Sequence, residues 1–338
     1  MAATLQLYEH NPSSLLPLLT KYLPHTQAVL GAIVSCPPPG QRPQSALDAP
    51  PLETMWASFP PGRLPSDSDT DWLVALALPA PSEQIRIWHR AEVELNNEEI
   101  ERVKQIEGSV VSTEALREAE SKGGNDDAAS QVIEARRIMR EMYPNHFVMG
   151  QLNAAWEPAL RHALKAPSRG ICRVFLAPEE LPSTGSDAER LRKLGLKLDT
   201  TRVGDEGEYH PPKYILARSK YTTLVRPIDG GAPVCWVLTH ADGSLGALYT
   251  LPEWRRKGLA KIVVAERLKA MAESNSEGSR EGDRARAEAS RKLRANLQVE
   301  EHNEASEALW TGLGWEAASC VAWVYSQEDQ EKYRSVPK

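Results

Sequence analysis

Residues 249–260, Tyr-Thr-Leu-Pro-Glu-Trp-Arg-Arg-Lys-Gly-Leu-Ala, constrain this chain more than any other stretch, because they read as a strand that turns tightly into a helix. Gly258 and Ala260 follow Arg255 at the spacing Arg-x-x-Gly-x-Ala. Small residues there let main-chain N–H groups face an anion at the positive end of the following helix, so the bend reads as a cradle for two phosphates. Upstream, residues 232–238 read as a strand, Ala241-Asp242-Gly243-Ser244 as a hairpin turn and 245–251 as a second strand. Downstream, Leu259, Ile262, Val263, Leu268 and Met271 recur near the 3.6-residue period and predict a helix packed on a sheet. A nucleotide-binding P-loop would carry Lys-Ser or Lys-Thr after the glycine; Leu259 stands there instead.

A second block, residues 296–315, carries a predicted strand, an Asn303-x-x-Ser306 helix and a Leu313-Gly314-Trp315 ending. With the two blocks in this order, the chain resembles the GNAT superfamily of acyl-CoA N-acyltransferases. Within it, the Pro233-Val234-Cys235-Trp236 strand followed by the 249–255 segment is similar to glycine N-acyltransferase and its FR47-like relatives. The motifs occupy roughly the last third of the chain. The resemblance implies an α/β fold with a mixed, splayed sheet flanked by helices, and acetyl-CoA or another acyl-CoA as co-substrate. It puts the pyrophosphate on Arg255, Arg256, Lys257, Gly258, Leu259 and Ala260, and the thioester carbonyl on a backbone N–H at Leu251 or its neighbour. Asn303, Ser306 and Trp310 then lie along the pantetheine arm and thiol.

The implied chemistry is attack by an amine on the thioester carbonyl, which builds negative charge on its oxygen. At the proton-handling positions the chain departs from the family. Ser244 stands where many relatives have a carboxylate or phenol, Gln298 where a histidine is frequent, and Trp310 where a tyrosine protonates the leaving thiolate. None of the three acts as acid or base at neutral pH. On a strand, Gln298, Glu300 and His302 share a face, which makes Glu300 the first candidate base and His302 the second. Alternatively, an acceptor that is already neutral at pH 7, such as an arylamine or hydrazine, needs positioning more than a base. A non-catalytic acyl-CoA-binding module accounts for the same residues.

With 338 residues, 41% hydrophobic and 25% charged, the chain suits two globular domains with sizeable cores. Residues 1–190 read as an α/β companion domain, one reading of which is a degenerate GNAT-like half; the resemblance implies that it helps to wall the acceptor pocket. Residues 191–338 read as the acyltransferase domain, with an exposed insertion at 274–292. In the first half, strands are expected near 6–8, 27–34, 55–59, 71–78, 84–89, 147–152 and 172–176. Helices are expected at 11–22, 98–122, 128–142, 155–165 and 188–194. A formal net charge of -6 gives no overall footprint for nucleic acid or an anionic membrane. The four cysteines are scattered, and the histidines lack metal-ligand spacing, so no metal site is expected. With Glu9 and no arginine before Arg42, the N-terminus does not read as a presequence, and a cytoplasmic setting is expected.

Overall fold

The computed structural model describes residues 6–35, 55–78, 84–95, 148–157, 169–179, 187–201, 218–240, 242–277, 284–300 and 303–325. In chain order the first elements are β1 (Tyr8–His10), α1 (Pro12–Lys21), α2 (Gln27–Ser35), β2 (Met55–Ala57), β3 (Leu73–Ala77), β4 (Gln84–His89), β5 (Val148–Asn153) and β6 (Arg169–Leu176). There follow α3 (Asp187–Lys193), β7 (Leu196–Asp199), β8 (Thr222–Pro227), β9 (Cys235–Thr239), β10 (Leu245–Thr250), α4 (Leu259–Glu277), α5 (Arg284–Lys292), β11 (Asn296–Glu300), α6 (Glu304–Gly312) and β12 (Glu316–Tyr325). The chain divides into two compact units, and both are mixed α/β.

The first unit comprises residues 1–174, 300–302 and 318–338. Its strands run in the order β1-β2-β3-β4-β5-β12. Pairing is antiparallel from β1 to β4, parallel between β4 and β5 (Gln84↔Val148), and antiparallel between β5 and β12 (Asn153↔Val321). Residues 318–325, read from the sequence as part of the second domain, lie here, and 321–325 of them pair with β5. Asn11 caps α1, its side-chain oxygen accepting from the Ser13 N–H at 2.9 Å. The 27–34 stretch, expected as a strand, is the helix α2. Val29, Leu30, Ala32 and Ile33 are all buried, and an apolar run covered all round fits a buried helix as well as a strand. The helix expected at 155–165 begins as a 3-10 turn at Ala154–Trp156; residues 158–168, 98–122 and 128–142 lie outside the described residues.

The second unit comprises residues 175–299 and 303–317. Its strand order is β11-β10-β9-β8-β7, antiparallel from β7 to β10 and parallel between β10 and β11. Each unit therefore repeats one pattern, four antiparallel strands and a parallel fifth, that no sequence repeat reveals. Leu259, Ile262, Val263 and Leu268 on α4 are buried with Val225, Val237, Leu245, Leu297 and Val299 from the sheet. Full burial of each such side chain contributes about 1.5–3 kcal/mol. The 274–292 stretch contains the end of α4 and the helix α5, and Ala289 and Ser290 on α5 are buried. Its few small residues suffice to seat one face, so the segment is not wholly exposed. At the end of α6, Gly314 takes φ +81°, its N–H donates to Thr311 C=O at 2.9 Å, and the Trp315 N–H donates to Trp310 C=O at 3.0 Å.

In both units a 3-10 turn follows the fourth strand: Arg90–Val93 after β4 and Pro252–Trp254 after β10. In the first, the protein's own carboxylate closes the turn. Glu92 Oε1 accepts from the His89 N–H at 2.9 Å and from Trp156 Nε1 at 3.0 Å, and burial pushes its carboxyl up to about 7. The group is neutral in folded and unfolded chains below about pH 4, and between about pH 4.5 and 7 only the unfolded chain ionises. Its contribution to stability therefore falls across that window, by on the order of 3 kcal/mol. Thermal melts from pH 4 to 8 should show this fall in the wild type and a flatter profile in Glu92→Gln.

Candidate active site

Strand β10 does not run regularly along β9. Gly246 lies opposite Leu238 and Tyr249 opposite Trp236, so Ala247 and Leu248 together face the single Val237. This is a β-bulge; Ala247 has φ +51°, and one backbone N–H of the pair loses its place in the ladder. Beyond the bulge the Leu251 N–H donates to Val234 C=O at 3.0 Å. Antiparallel strands alternate in the direction of their main-chain groups, so Thr250, one residue back, turns its N–H and C=O away from β9. The Thr250 C=O accepts from Arg255 Nε at 3.1 Å, in agreement with that direction. On that other flank β10 is joined to β11 at Leu245↔Leu297, and Thr250 lies at the far end of β10 from this joint. The Leu251 N–H, expected to meet a carbonyl, is thus already committed, and the free direction belongs to its neighbour.

After β10 the chain makes the 3-10 turn, then Arg256 with φ +61° and Gly258 with φ +77°, and enters α4. The first helical bond shown at this end runs from the Ile262 N–H to Gly258 C=O at 3.4 Å. The preceding N–H groups, including those of Leu259 and Ala260, have no intrahelical partner by the geometry of a helix start. The Leu259 side chain is buried in the core, so its main chain alone faces the bend. Arg255 and Arg256 are exposed, and Lys257 Nζ sits over the Trp254 ring at 4.4 Å. Three cations and a set of outward amides converge on one bend, which suits a diphosphate.

Sequence reading missed one contributor. A methyl group on Gly258 would lie 2.8 Å from the Arg190 guanidinium carbon on α3. Arg190 lies 68 residues before Gly258 (258 minus 190), and nothing local announces the contact. A guanidinium has no acceptor for the bend's N–H groups, so Arg190 lines the cradle and does not fill it as an anion would. Gly258 is therefore needed twice, for its positive φ and for the room Arg190 takes.

The residues of the second block are engaged within their own helix. Asn303 Oδ1 accepts from the Ser306 N–H at 3.1 Å as the N-cap of α6. Trp310 Nε1 donates to Ser306 Oγ at 3.2 Å, and its ring is buried edge-to-face on Trp315 at 4.9 Å. Trp310, expected along the cofactor, is a core residue, because its apolar bulk is worth more inside than along a wet groove. Gln298 and Glu300 alternate with buried Leu297 and Val299, as expected of a strand; Glu300 is exposed at the end of β11. His302 lies outside the described residues. Cys235 is buried, its Sγ 3.1 Å from Thr250 Oγ1, and burial pushes the thiol up to about 11. It stays protonated at neutral pH and is no acyl carrier.

Residues 224–279, from β8 to the end of α4, match the family described as FR47-like protein. That match lies within the second unit. An X-ray structure of a Drosophila protein resembles the chain with a TM-score of 0.53 at 11% identity, covering 93% of this chain and 96% of its own. A GCN5-related N-acetyltransferase from Sphaerobacter thermophilus gives 0.41 at 12% identity, covering 96% of each chain. A tandem GNAT protein from the clavulanic acid biosynthesis pathway gives 0.41 at 12% identity, covering 95% and 98%. No curated protein matches this chain. No helix among the described residues is long and apolar enough to cross a membrane.

Gly258→Val should lower CoA affinity by about 100-fold or more while far-UV circular dichroism stays unchanged, since it strains the bend and displaces Arg190. Arg190→Ala removes one charge-assisted partner, and isothermal calorimetry should read a loss of about 10-fold.

Proposed function

We propose that this protein is an acyl-CoA-dependent N-acyltransferase that moves an acyl group, acetyl or larger, from coenzyme A to a small amine by direct attack on the thioester. The observation that carries the reading is the succession of two features: a bend at Arg255–Ala260 with exposed arginines and positive φ at Arg256 and Gly258 and, just before it, the bulged flank of β10 with Thr250 turned away from β9. The first suits the pyrophosphate and the second the thioester carbonyl. In this reading Arg255, Arg256, Lys257 and Arg190 surround the pyrophosphate, and the N–H groups of Gly258, Leu259 and Ala260 face it. The Thr250 N–H and the amide freed by the bulge meet the charge that grows on the carbonyl oxygen, and donors fixed before the reaction begins need no reorganisation. Asn303 and Ser306 border the pantetheine arm from the start of α6.

The buried, protonated Cys235 supports direct transfer without an acyl-enzyme at that thiol. Glu300 is the sequence's own candidate for taking the amine proton, with His302 behind it. The similarity of the Pro233–Trp236 and 249–255 segments to glycine N-acyltransferase favours a small amino compound as acceptor. The repeated strand pattern supports reading residues 1–190 as a GNAT-like companion half. Its turn is closed by Glu92, so it is assigned no cofactor.

A second reading is a non-catalytic acyl-CoA-binding module, favoured by Ser244, Gln298 and Trp310 at the proton-handling positions. Turnover separates the two. Incubation with acetyl-, benzoyl- and longer acyl-CoA and a panel of amino acids, arylamines and hydrazines should release free thiol, detected with a thiol-reactive dye, in proportion to amide formed. CoA binding with no thiol release under any acceptor would establish the module.

A further inference from the structure

The absence of a titratable side chain at position 244 is made good from a neighbouring residue. His240 follows β9 at the turn into β10, which is closed by the His240 N–H to Ser244 C=O at 2.7 Å and the Gly243 N–H to His240 C=O at 3.0 Å. From there the imidazole folds across β10. A methyl group on Gly246 would lie 1.9 Å from His240 Nε2 and 2.6 Å from its Cδ2. Gly246, unlike Gly258, has no positive φ to explain it. What the glycine provides is room, and the ring uses it.

The surroundings hold the ring in that slot. Arg218 Nε donates to Thr239 C=O and Arg218 Nη2 to His240 C=O, each at 2.9 Å, which pins the backbone that carries the imidazole. Ser244 Oγ donates to Asp242 Oδ1 at 2.6 Å, and the Ser244 N–H donates to the same oxygen at 3.0 Å. Both residues are buried, so Ser244 is a structural member of the turn and not a reacting group. His240 itself is half-buried. The Leu245 side chain enters the core beneath α4, so Gly246 faces the opposite side of β10, and the ring lies on that side. The bulge begins at the next residue, Ala247, so the slot that holds the ring adjoins it.

We infer that His240, and not Glu300, is the general base of the acyl transfer, seated in a slot that the missing side chain of Gly246 opens beside the β10 bulge. The inference rests on the N-acyltransferase reading above. The amine nitrogen bonds to the thioester carbon, its proton passes to the deprotonated imidazole nitrogen directly or through one water, and the carbon–sulfur bond breaks. The thiolate takes up one proton from solvent, and the imidazolium returns one. The products are the amide and free CoA thiol, and the enzyme is unchanged. A base of this kind contributes about 10²–10⁴-fold in rate.

His240→Gln should lower kcat for a basic amine by about 10²-fold or more, with the dissociation constant of acyl-CoA within about threefold of wild type. Gly246→Val, which evicts the ring, should lose turnover in the same way, and added imidazole should restore part of the activity of His240→Ala. Wild-type turnover in His240→Gln, loss of acyl-CoA affinity in proportion to turnover, or a loss confined to Glu300→Gln would each overturn the inference and leave the N-acyltransferase reading standing. A wild-type chain to which CoA does not bind overturns that reading itself, and the inference with it.

Discussion

The bulge in β10 is the constraint on which the site depends. A regular strand spends its main-chain groups on two neighbours and has none left for a ligand. One extra residue opposite Val237 breaks that economy, and Thr250, at the far end of β10 from the parallel joint at Leu245, is turned away from β9. The strain is local, held by Ala247 at positive φ, and the surrounding ladder with β9 over-determines it through Leu251 and Val234. Everything proposed about the thioester carbonyl follows from that arrangement, and the bend after β10 brings the cations Arg255, Arg256 and Lys257 next to it in the chain.

Two glycines in this unit do different work. Gly258 has the backbone conformation that side chains avoid and, in addition, leaves space for Arg190. Gly246 has an ordinary backbone, and its value lies in the volume that His240 fills. In both cases a missing Cβ admits a polar group from elsewhere in the chain, the Arg190 guanidinium at the bend before α4 and the His240 imidazole beside the bulge. A side chain at either position would be opposed by atoms less than 3 Å away.

The two units carry one strand pattern with two outcomes. After β10 the turn opens onto positive charge and outward amides. After β4 the corresponding turn is sealed, because the buried Glu92 carboxyl accepts from the His89 amide and the Trp156 indole. The same local geometry, a 3-10 turn after a fourth strand, is thus left open or closed according to whether the chain supplies its own carboxyl group.

The sequence by itself determined what is local: the strand–turn–helix at 245–277, the hairpin turn at 241–244, the cap at Asn303 and the Leu-Gly-Trp ending of α6. Each depends on periodicity, turn chemistry or φ preferences within a few residues, and these are written in the residues themselves. Helix α2 is not legible in the sequence because an apolar run with no polar face has no period to reveal. Tertiary structure alone decided what depends on register and on contacts across the chain: the bulge that spends the Leu251 N–H and leaves Thr250 turned outward, the pairing of residues 321–325 with β5, the burial of Trp310, and the arrival of Arg190 at Gly258. The physical reason is that hydrogen-bond direction and packing partners are fixed by which strands meet and where. A one-residue shift, invisible in composition or pattern, reverses which groups face a ligand.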